Sequence, residues 1–144
     1  MYTLQLTTSY AENWRYNIMV TLSLRNSAGE QVGYHSAEDS PLPVGSNSDS
    51  APEGWARRRE VKIEFGECHS TRFYVYFLPN SLPQTNTLAG FKTDFAVQVK
   101  ILKGTEEVFT DKLMVNCFGG CGKEYVVQMA EQGRVAEGKP TANG

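Results

Sequence analysis

The chain has 144 residues, 40% of them hydrophobic, and a formal net charge of −2. A chain of this length can fold as one domain with a core of its own. The near-neutral charge excludes a strong overall attraction to nucleic acid or to an anionic membrane. The one basic run, Arg57 to Arg59, is followed closely by acidic residues, so we predict no nucleic-acid binding.

Targeting signals are not visible in the sequence. No apolar stretch approaches the ~18 residues that a membrane-spanning helix needs. The opening segment MYTLQLTTSY has neither the basic leader nor the apolar region of a signal peptide. We therefore expect a cytoplasmic protein without a membrane span, with the trimmed mature part of an exported protein as the alternative.

Hydrophobic and polar residues alternate along most of the chain. The first strand has this pattern at Tyr2, Leu4 and Leu6. The pattern is longest between Trp14 and Arg25, where the apolar positions are Trp14, Tyr16, Ile18, Val20, Leu22 and Leu24. A period of two over this length predicts a strand with one buried face, because a helix would scatter these residues around its circumference.

The same period predicts five further strands. Two of them directly follow the turn segments NSAGE (26–30) and KGTEE (103–107). The apolar positions of the five strands are Val32 and Tyr34; Val61, Ile63 and Phe65; Phe95, Val97, Val99 and Ile101; Leu113, Val115 and Cys117; and Tyr125, Val127 and Met129. Val108 is out of phase with Leu113 and Val115, which predicts a β-bulge or a late start of that strand.

The segment RFYVYFL, residues 72–78, is apolar on both faces. Phe73, Val75 and Phe77 would lie on one face, and Tyr74 and Tyr76 on the other. Such a strand is typical of a central position in a sheet, or of a strand whose outer face is covered by a loop or a partner.

About eight strands and no helix predict an all-β fold, an antiparallel β-sandwich over residues 1–130. The pattern does not distinguish an Ig-like from a jelly-roll or C2-like arrangement, and it is similar to small C2-like or transthyretin-like sandwiches at the level of fold alone. Two long loops are predicted, at 35–56 and 79–93. Residues 131–144 have few apolar side chains, which predicts a disordered tail.

The stretch CFGGCG, residues 117–122, brings two cysteines close together in the sequence. Cys117 and Cys121, with Cys68 and His69, are the donor types of a structural zinc site. Neighbouring side chains on an extended chain point to opposite faces, so Cys68 and His69 would need a tight turn to share an ion. We favour free cysteines, with Cys68 and Cys117 buried and the glycines forming a turn. A disulfide and a zinc site are the alternatives.

The first long loop is rich in oxygen donors. Glu38, Asp39, Asp49 and Glu53 lie in it among serine residues. Carboxylates at one end of a sandwich are the ligands that calcium prefers, and C2-like domains resemble this arrangement. The spacing is irregular, so a solvated loop is the favoured interpretation and calcium the alternative.

Aromatic residues outside the strand pattern indicate a binding surface. Trp55 precedes the basic run, and an aromatic residue beside arginine is typical of an interface hot spot. Trp55 could instead cap the core or stack on a sugar ring. The predicted binding residues are Trp55, Arg57, Arg58, Tyr74, Tyr76 and Phe91.

These observations predict a non-catalytic binding or interaction module without a cofactor. It would present loops 35–56 and 79–93 to a protein partner, a homo-oligomer or a larger assembly, with a sugar or small molecule as a further candidate ligand. The first alternative is a calcium-assisted carbohydrate- or lipid-binding domain. The second is a small enzyme using His35 or His69, although the chain contains no recognised catalytic motif.

Overall fold

The computed structural model describes residues 1–56, 58–82 and 94–129, which form two antiparallel four-stranded sheets packed against each other. The strands are β1 (Tyr2–Thr8), β2 (Tyr16–Arg25), β3 (Gln31–Asp39), β4 (Arg59–Phe65), β5 (Ser70–Pro79), β6 (Asp94–Lys103), β7 (Glu106–Asn116) and β8 (Cys121–Gln128). A short 3-10 helix, Asn13–Arg15, precedes β2. The predicted all-β sandwich is therefore confirmed.

The first sheet has the strand order β4-β1-β6-β7, and the second sheet has the order β3-β2-β5-β8. Only β2–β3 and β6–β7 are pairs of consecutive strands. The other pairings join distant parts of the chain, since β1 lies between β4 and β6 and β2 lies between β3 and β5. The core between the sheets is formed by the alternate positions that the sequence predicts.

Trp14 is the one predicted apolar position of this strand that lies outside β2. It is buried, but it lies in the 3-10 helix before the strand, where its ring packs beneath the Arg15 guanidinium with 4.4 Å between the guanidinium carbon and the ring centroid. The alternation therefore predicts burial correctly at this position and the backbone conformation incorrectly.

The first predicted loop begins later than expected. β3 continues through His35 to Asp39, paired with β2 from Leu22 to Ile18, so the loop begins at residue 40. The sequence does not show this because the core-facing positions of this edge strand, Gly33, His35, Ala37 and Asp39, carry no large apolar side chain, and β3 therefore lacks the alternation of the other strands. Of the second predicted loop, only residues 79–82 are described, and the predicted tail at 131–144 lies outside the described residues.

Two finer predictions about the strands agree with the structure. β5 is a central strand, bonded to β2 and β8. The register of β6 and β7 shifts between Ile101 and Leu102, opposite the pair Val108 and Phe109, and both of those side chains are buried. The out-of-phase Val108 therefore marks a β-bulge.

The stretch CFGGCG connects β7 to β8 by a tight turn. The Oδ1 atom of Asn116 accepts hydrogen bonds from the backbone N–H groups of Phe118 and Gly119, at 2.9 and 2.8 Å. Gly120 closes the turn with φ of +75°, a conformation that favours glycine. Cys117 is fully buried directly after β7, in phase with the core residues of that strand.

Candidate functional site

Residues 40–56, which follow β3, and the segment Asn80–Leu82 after β5 meet at one end of the sandwich, which we call the loop end. The carbonyl oxygen of Asn80 accepts a hydrogen bond from the Gly45 N–H at 3.1 Å, and Ser81 Oγ accepts one from the Ser48 N–H at 2.9 Å. The sequence predicts two long loops, and the structure brings their described parts together.

Arg15 binds both described segments of the loop end. Its Nη1 donates to the carbonyl oxygens of Ser48 at 2.9 Å and of Ser81 and Leu82 at 3.3 Å, and its Nε pairs with Glu12. Apart from the Glu12 carboxylate, these acceptors are backbone carbonyl oxygens. One guanidinium group can donate hydrogen bonds to several of them at once. The loop end is therefore held by internal contacts of the domain.

Arg59 is the second anchor of the loop end. Its guanidinium donates to the carbonyl oxygens of Asn13 and Tyr16 at 2.7 and 2.6 Å, and it binds both the carbonyl and the carboxylate of Asp39 at 2.7 and 2.8 Å. Its carbon lies 5.0 Å from the centroid of the Trp55 ring. Burial lowers the pKa of Arg59, and the bond to Asp39 opposes that shift.

The predicted binding residues of the loop end differ in their surroundings. Trp55 is half-buried, with its ring against the Arg59 guanidinium. Arg58 is exposed and lies 3.9 Å from Glu60. Arg57 and Phe91 lie outside the described residues.

The four predicted calcium ligands also lie at the loop end, but their carboxylates have different environments. Asp39 is paired with Arg59, and Glu38 accepts a hydrogen bond from Ser40 Oγ at 2.8 Å. Asp49 and Glu53 lie further along the loop. In the described part of the chain, no three side chains of His, Cys, Asp or Glu are grouped so that they could hold a metal ion.

The predicted zinc ligands are divided between the two ends of β5. Cys68 and His69 precede the strand, whereas Cys121 lies opposite Phe77 near its far end. At about 3.3 Å per residue, this separates Cys68 from Cys121 by roughly 20 Å or more. The structure therefore does not bring the four residues to a common ion.

The three cysteines are free thiols in the structure. Burial, followed by the charge of Glu67, raises the pKa of Cys68 to about 11. Burial also raises the pKa of Cys121, and Lys123 opposes that shift. Protonated thiols are poor nucleophiles and poor metal ligands, so these environments do not favour cysteine chemistry at neutral pH.

The outer face of the second sheet carries the clearest cluster of exposed apolar side chains. We call this cluster the tyrosine face; its members, with their exposed fractions, are Met19 (46%), Tyr34 (56%), Tyr74 (42%) and Tyr76 (37%). Tyr76 lies opposite Met19 across β5 and β2, and the rings of Tyr74 and Tyr76 are 6.2 Å apart between centroids. Three neighbouring strands therefore contribute to one surface.

Gly122 on the edge strand β8 shapes this surface. It lies opposite Tyr76, and a Cβ atom at this position would overlap the hydroxyl group of Tyr74. The Tyr74 ring therefore leans across the sheet and covers the glycine. The sequence analysis did not identify Gly122, although a glycine inside a strand is a recognised sign of close approach by another group.

The outer face of the first sheet provides an internal comparison. Its outward positions on the two central strands are mostly polar, and they include Thr3, Gln5, Thr7, Gln98 and Lys100. Met114 is the large apolar side chain exposed there among the described residues. The concentration of aromatic side chains is thus specific to one of the two faces.

In residues 1–56, 58–82 and 94–129 there is no helix that is long and apolar enough to cross a membrane.

Comparisons with known proteins give one structural similarity. No family model matches the chain. No curated protein matches it either. Among solved structures, the chain is similar to a DUF4425 family protein from Bacteroides ovatus, with a TM-score of 0.45 and 8% sequence identity, over 90% of this chain and 95% of that chain.

Proposed function

We propose that this chain is a non-catalytic binding module that holds a protein partner on its tyrosine face. The observation that carries the proposal is the exposure of four large side chains on the outer face of the second sheet. Met19 lies opposite Tyr76, and the rings of Tyr74 and Tyr76 are stacked. Tyr34 lies on the same face at the edge strand β3, opposite Ser23. The corresponding face of the first sheet is mostly polar, so exposed aromatic residues are not a general property of the domain.

The composition of the tyrosine face fits a protein interface. Tyrosine, methionine and arginine are enriched at the centres of such interfaces, where a few aromatic residues contribute most of the binding free energy. Arg72 and Glu124 lie at the border of the face, 3.9 Å apart and both about half exposed. An apolar centre with a charged border is the usual anatomy of a standard protein–protein contact.

The backbone beneath the tyrosine face supports this function. β2 and β5 are central strands, each bonded on both sides. Side chains on such strands are held in a fixed arrangement, which lowers the entropy lost when a partner binds. The described parts of the two long loops, which the sequence predicts to be recognition loops, contact Arg15 and Arg59 at the loop end.

Site-specific photocrosslinking tests the proposal. A benzophenone amino acid is incorporated at position 76, and separately at position 114 on the outer face of the first sheet, where the native side chain has a similar exposed fraction of 44%. We expect a discrete crosslinked product in cells from position 76 and none from position 114.

The substitution Tyr74→Ser provides the control for specificity. It removes the neighbouring ring from the same surface without introducing a charge, so we expect it to reduce the product from position 76 severalfold. Equal products from positions 76 and 114, or no product from position 76, would contradict the proposal.

A further inference from the structure

β3 differs from the other edge strands of the sandwich in its charge. The strand order places β4 and β7 at the edges of the first sheet, and β3 and β8 at the edges of the second. The charged residues of the other three are Arg59, Glu60, Lys62 and Glu64 on β4; Glu106, Glu107, Asp111 and Lys112 on β7; and Lys123 and Glu124 on β8. Residues 31–37 of β3 contain no Asp, Glu, Lys, Arg or Pro.

Charged side chains and prolines are the usual means by which an edge strand resists pairing with another chain. β4 and β7 contain such charges along their length, β8 has them at Lys123 and Glu124, and β7 also has a β-bulge at Val108. β3 has its one register shift beside Arg25, next to the hairpin turn. From Gly33 to Ala37, β3 is therefore a regular strand segment without these protections, and its charged residues, Glu38 and Asp39, lie at its end.

The hydrogen-bond pattern identifies the backbone groups of β3 that point away from β2. The His69 N–H donates to the Arg25 carbonyl oxygen at 2.9 Å, on the side of β2 that faces β5. Backbone groups alternate between the two sides of a strand, so odd-numbered residues of β2 bond toward β5 and even-numbered residues toward β3. Tyr34 and Ser36 lie opposite odd-numbered residues. Their N–H and C=O groups therefore point outward.

The outward edge is accessible in the described structure. Among the described residues, β3 pairs with β2 alone. The side chains of Tyr34, His35 and Ser36 are exposed. The nearest strand of the first sheet is β4, and the ion pair between Asp39 and Arg59 joins the two at the far end of β3. The middle of β3 is thus left as an open edge.

We infer that the open edge of β3 receives an extended peptide segment of another protein as an additional strand of the second sheet. Main-chain hydrogen bonds to Tyr34 and Ser36 would supply affinity, and the side chains at alternate positions would supply selectivity. This site is formed by residues other than the centre of the tyrosine face, and it goes beyond the function proposed above.

Charge indicates the chemistry of the bound segment. Glu30 directly precedes β3 and Glu38 lies near its end; both are exposed, and neither forms an ion pair within the described part of the chain. Opposite charges across neighbouring strands are favourable. The segment therefore has an uncharged centre of strand-forming residues and a lysine or arginine at each end.

The same charges disfavour one register in which a second copy of this chain could be the occupant. Antiparallel pairing of β3 with itself, centred on Tyr34, would place Glu30 of each copy opposite Glu38 of the other. Like charges in directly opposed positions destabilise a strand pair. A basic-ended segment of a different protein avoids this repulsion.

A random nine-residue peptide library, displayed on phage and selected on the full chain, tests the inference. We expect the selected peptides to alternate β-branched residues with polar residues and to carry a basic residue at each end. Binding of the synthetic peptides is measured by fluorescence anisotropy, and hydrogen exchange is expected to slow at Tyr34 and Ser36 when they bind.

Matched variants of one residue identify the edge as the binding site. Ser36→Pro removes an outward N–H and no bond to β2, so we expect it to weaken peptide binding at least tenfold, whereas Ser36→Thr keeps the N–H and binds as the wild type does. The double variant Tyr74→Ser/Tyr76→Ser retains peptide binding, which separates this site from the tyrosine face.

The melting temperature of each variant shows whether it is folded. Should Ser36→Pro unfold, Ser36→Lys takes its place, because a charged residue on an edge strand opposes pairing without removing a backbone donor. Failure to select any peptide overturns the inference. So does a set of selected peptides whose affinity is the same for the wild type and for the folded Ser36 variant.

Discussion

At the scale of single residues, Arg59 shows how a buried charge can be overlooked in a run of similar residues. In the sequence, Arg57 to Arg59 form one basic run. In the structure Arg58 is exposed and Arg59 is buried at the start of β4. The sequence does indicate the burial of Arg59, because this residue is in phase with the buried Val61 and Ile63. A charged residue in phase with core positions is a candidate for a structural hydrogen-bonding role.

Substitution of Arg59 tests that role. Arg59→Lys keeps the charge but cannot satisfy Asn13, Tyr16 and Asp39 together, because a lysine ammonium lacks the planar fork of a guanidinium. We expect it to lower the free energy of unfolding by about 2–4 kcal/mol, as when buried acceptors are left unsatisfied. Urea unfolding followed by fluorescence measures the change.

The adjacent Arg58→Lys is the control for Arg59→Lys. Arg58 is 69% exposed at its side chain, so the expected change is within about 0.5 kcal/mol. Equal effects of the two substitutions would show that Arg59 is not an anchor of the loop end.

At the scale of elements, alternation predicts the strands whose one face is buried. β2, β4 and β6 follow the expected phase over nearly their whole length. β3 ends five residues later than the loop boundary was placed, since loop 35–56 begins at residue 40 and not at His35. An edge strand without large apolar residues at its core-facing positions has no clear hydrophobic period, so the extent of β3 depends on its pairing with β2.

Which strands become neighbours could not be predicted from the sequence. The pairing of Tyr2 with Lys103, for example, joins two residues that are far apart in the sequence. For the same reason the sequence identifies Tyr74 and Tyr76 as an apolar outer face of one strand, but not their proximity to Met19 and Gly122. The tyrosine face results from the strand register, which alternation alone does not encode.

The turn between β7 and β8 allows two neighbouring glycines to be compared. Gly120 has φ of +75°, and a side chain there would overlap the carbonyl oxygen of Phe77. We expect Gly120→Ala to lower the free energy of unfolding by about 2 kcal/mol or more, because a left-handed residue with a Cβ atom is strained even without this overlap. Thermal unfolding followed by circular dichroism measures the loss.

Gly119→Ala is the matched control for Gly120→Ala. The nearest atom to a Cβ at Gly119 is Asn116 Oδ1, at an ordinary contact distance of 3.6 Å. The expected change is within about 0.5 kcal/mol. A Gly120→Ala variant as stable as Gly119→Ala would mean that the turn adopts a different conformation in solution.

At the scale of the whole molecule, the fold depends on keeping several buried phenol groups protonated. Burial raises the pKa of Tyr2 to about 12, and the nearby charges of Glu67 and Cys68 contribute to the shift. Burial also raises the pKa values of Tyr10, Tyr16 and Tyr125. The four tyrosines lie on strands of both sheets or pack against them. Ionisation of their phenol groups would therefore destabilise the packing of the two sheets against each other.

The expected consequence is a loss of stability in alkaline solution. A group whose pKa is higher in the folded state stabilises the fold fully below its unfolded value, here 10.0, and this contribution is lost as the pH rises toward the folded value of about 12. We expect Tyr2→Phe to lose less stability than the wild type between pH 8 and pH 11. Melting temperatures across that range test this, with the exposed Tyr34→Phe as the control.

The position of β1 between β4 and β6 has a consequence for the integrity of the chain. A cut within residues 40–56 would give one piece with β1, β2 and β3, and another with β4 to β8. The longer piece would then have a gap in the middle of one sheet, which only the missing strand from the shorter piece fills. The two fragments, produced separately, should therefore be unfolded alone and recombine on mixing, which makes this domain a natural scaffold for a split reporter.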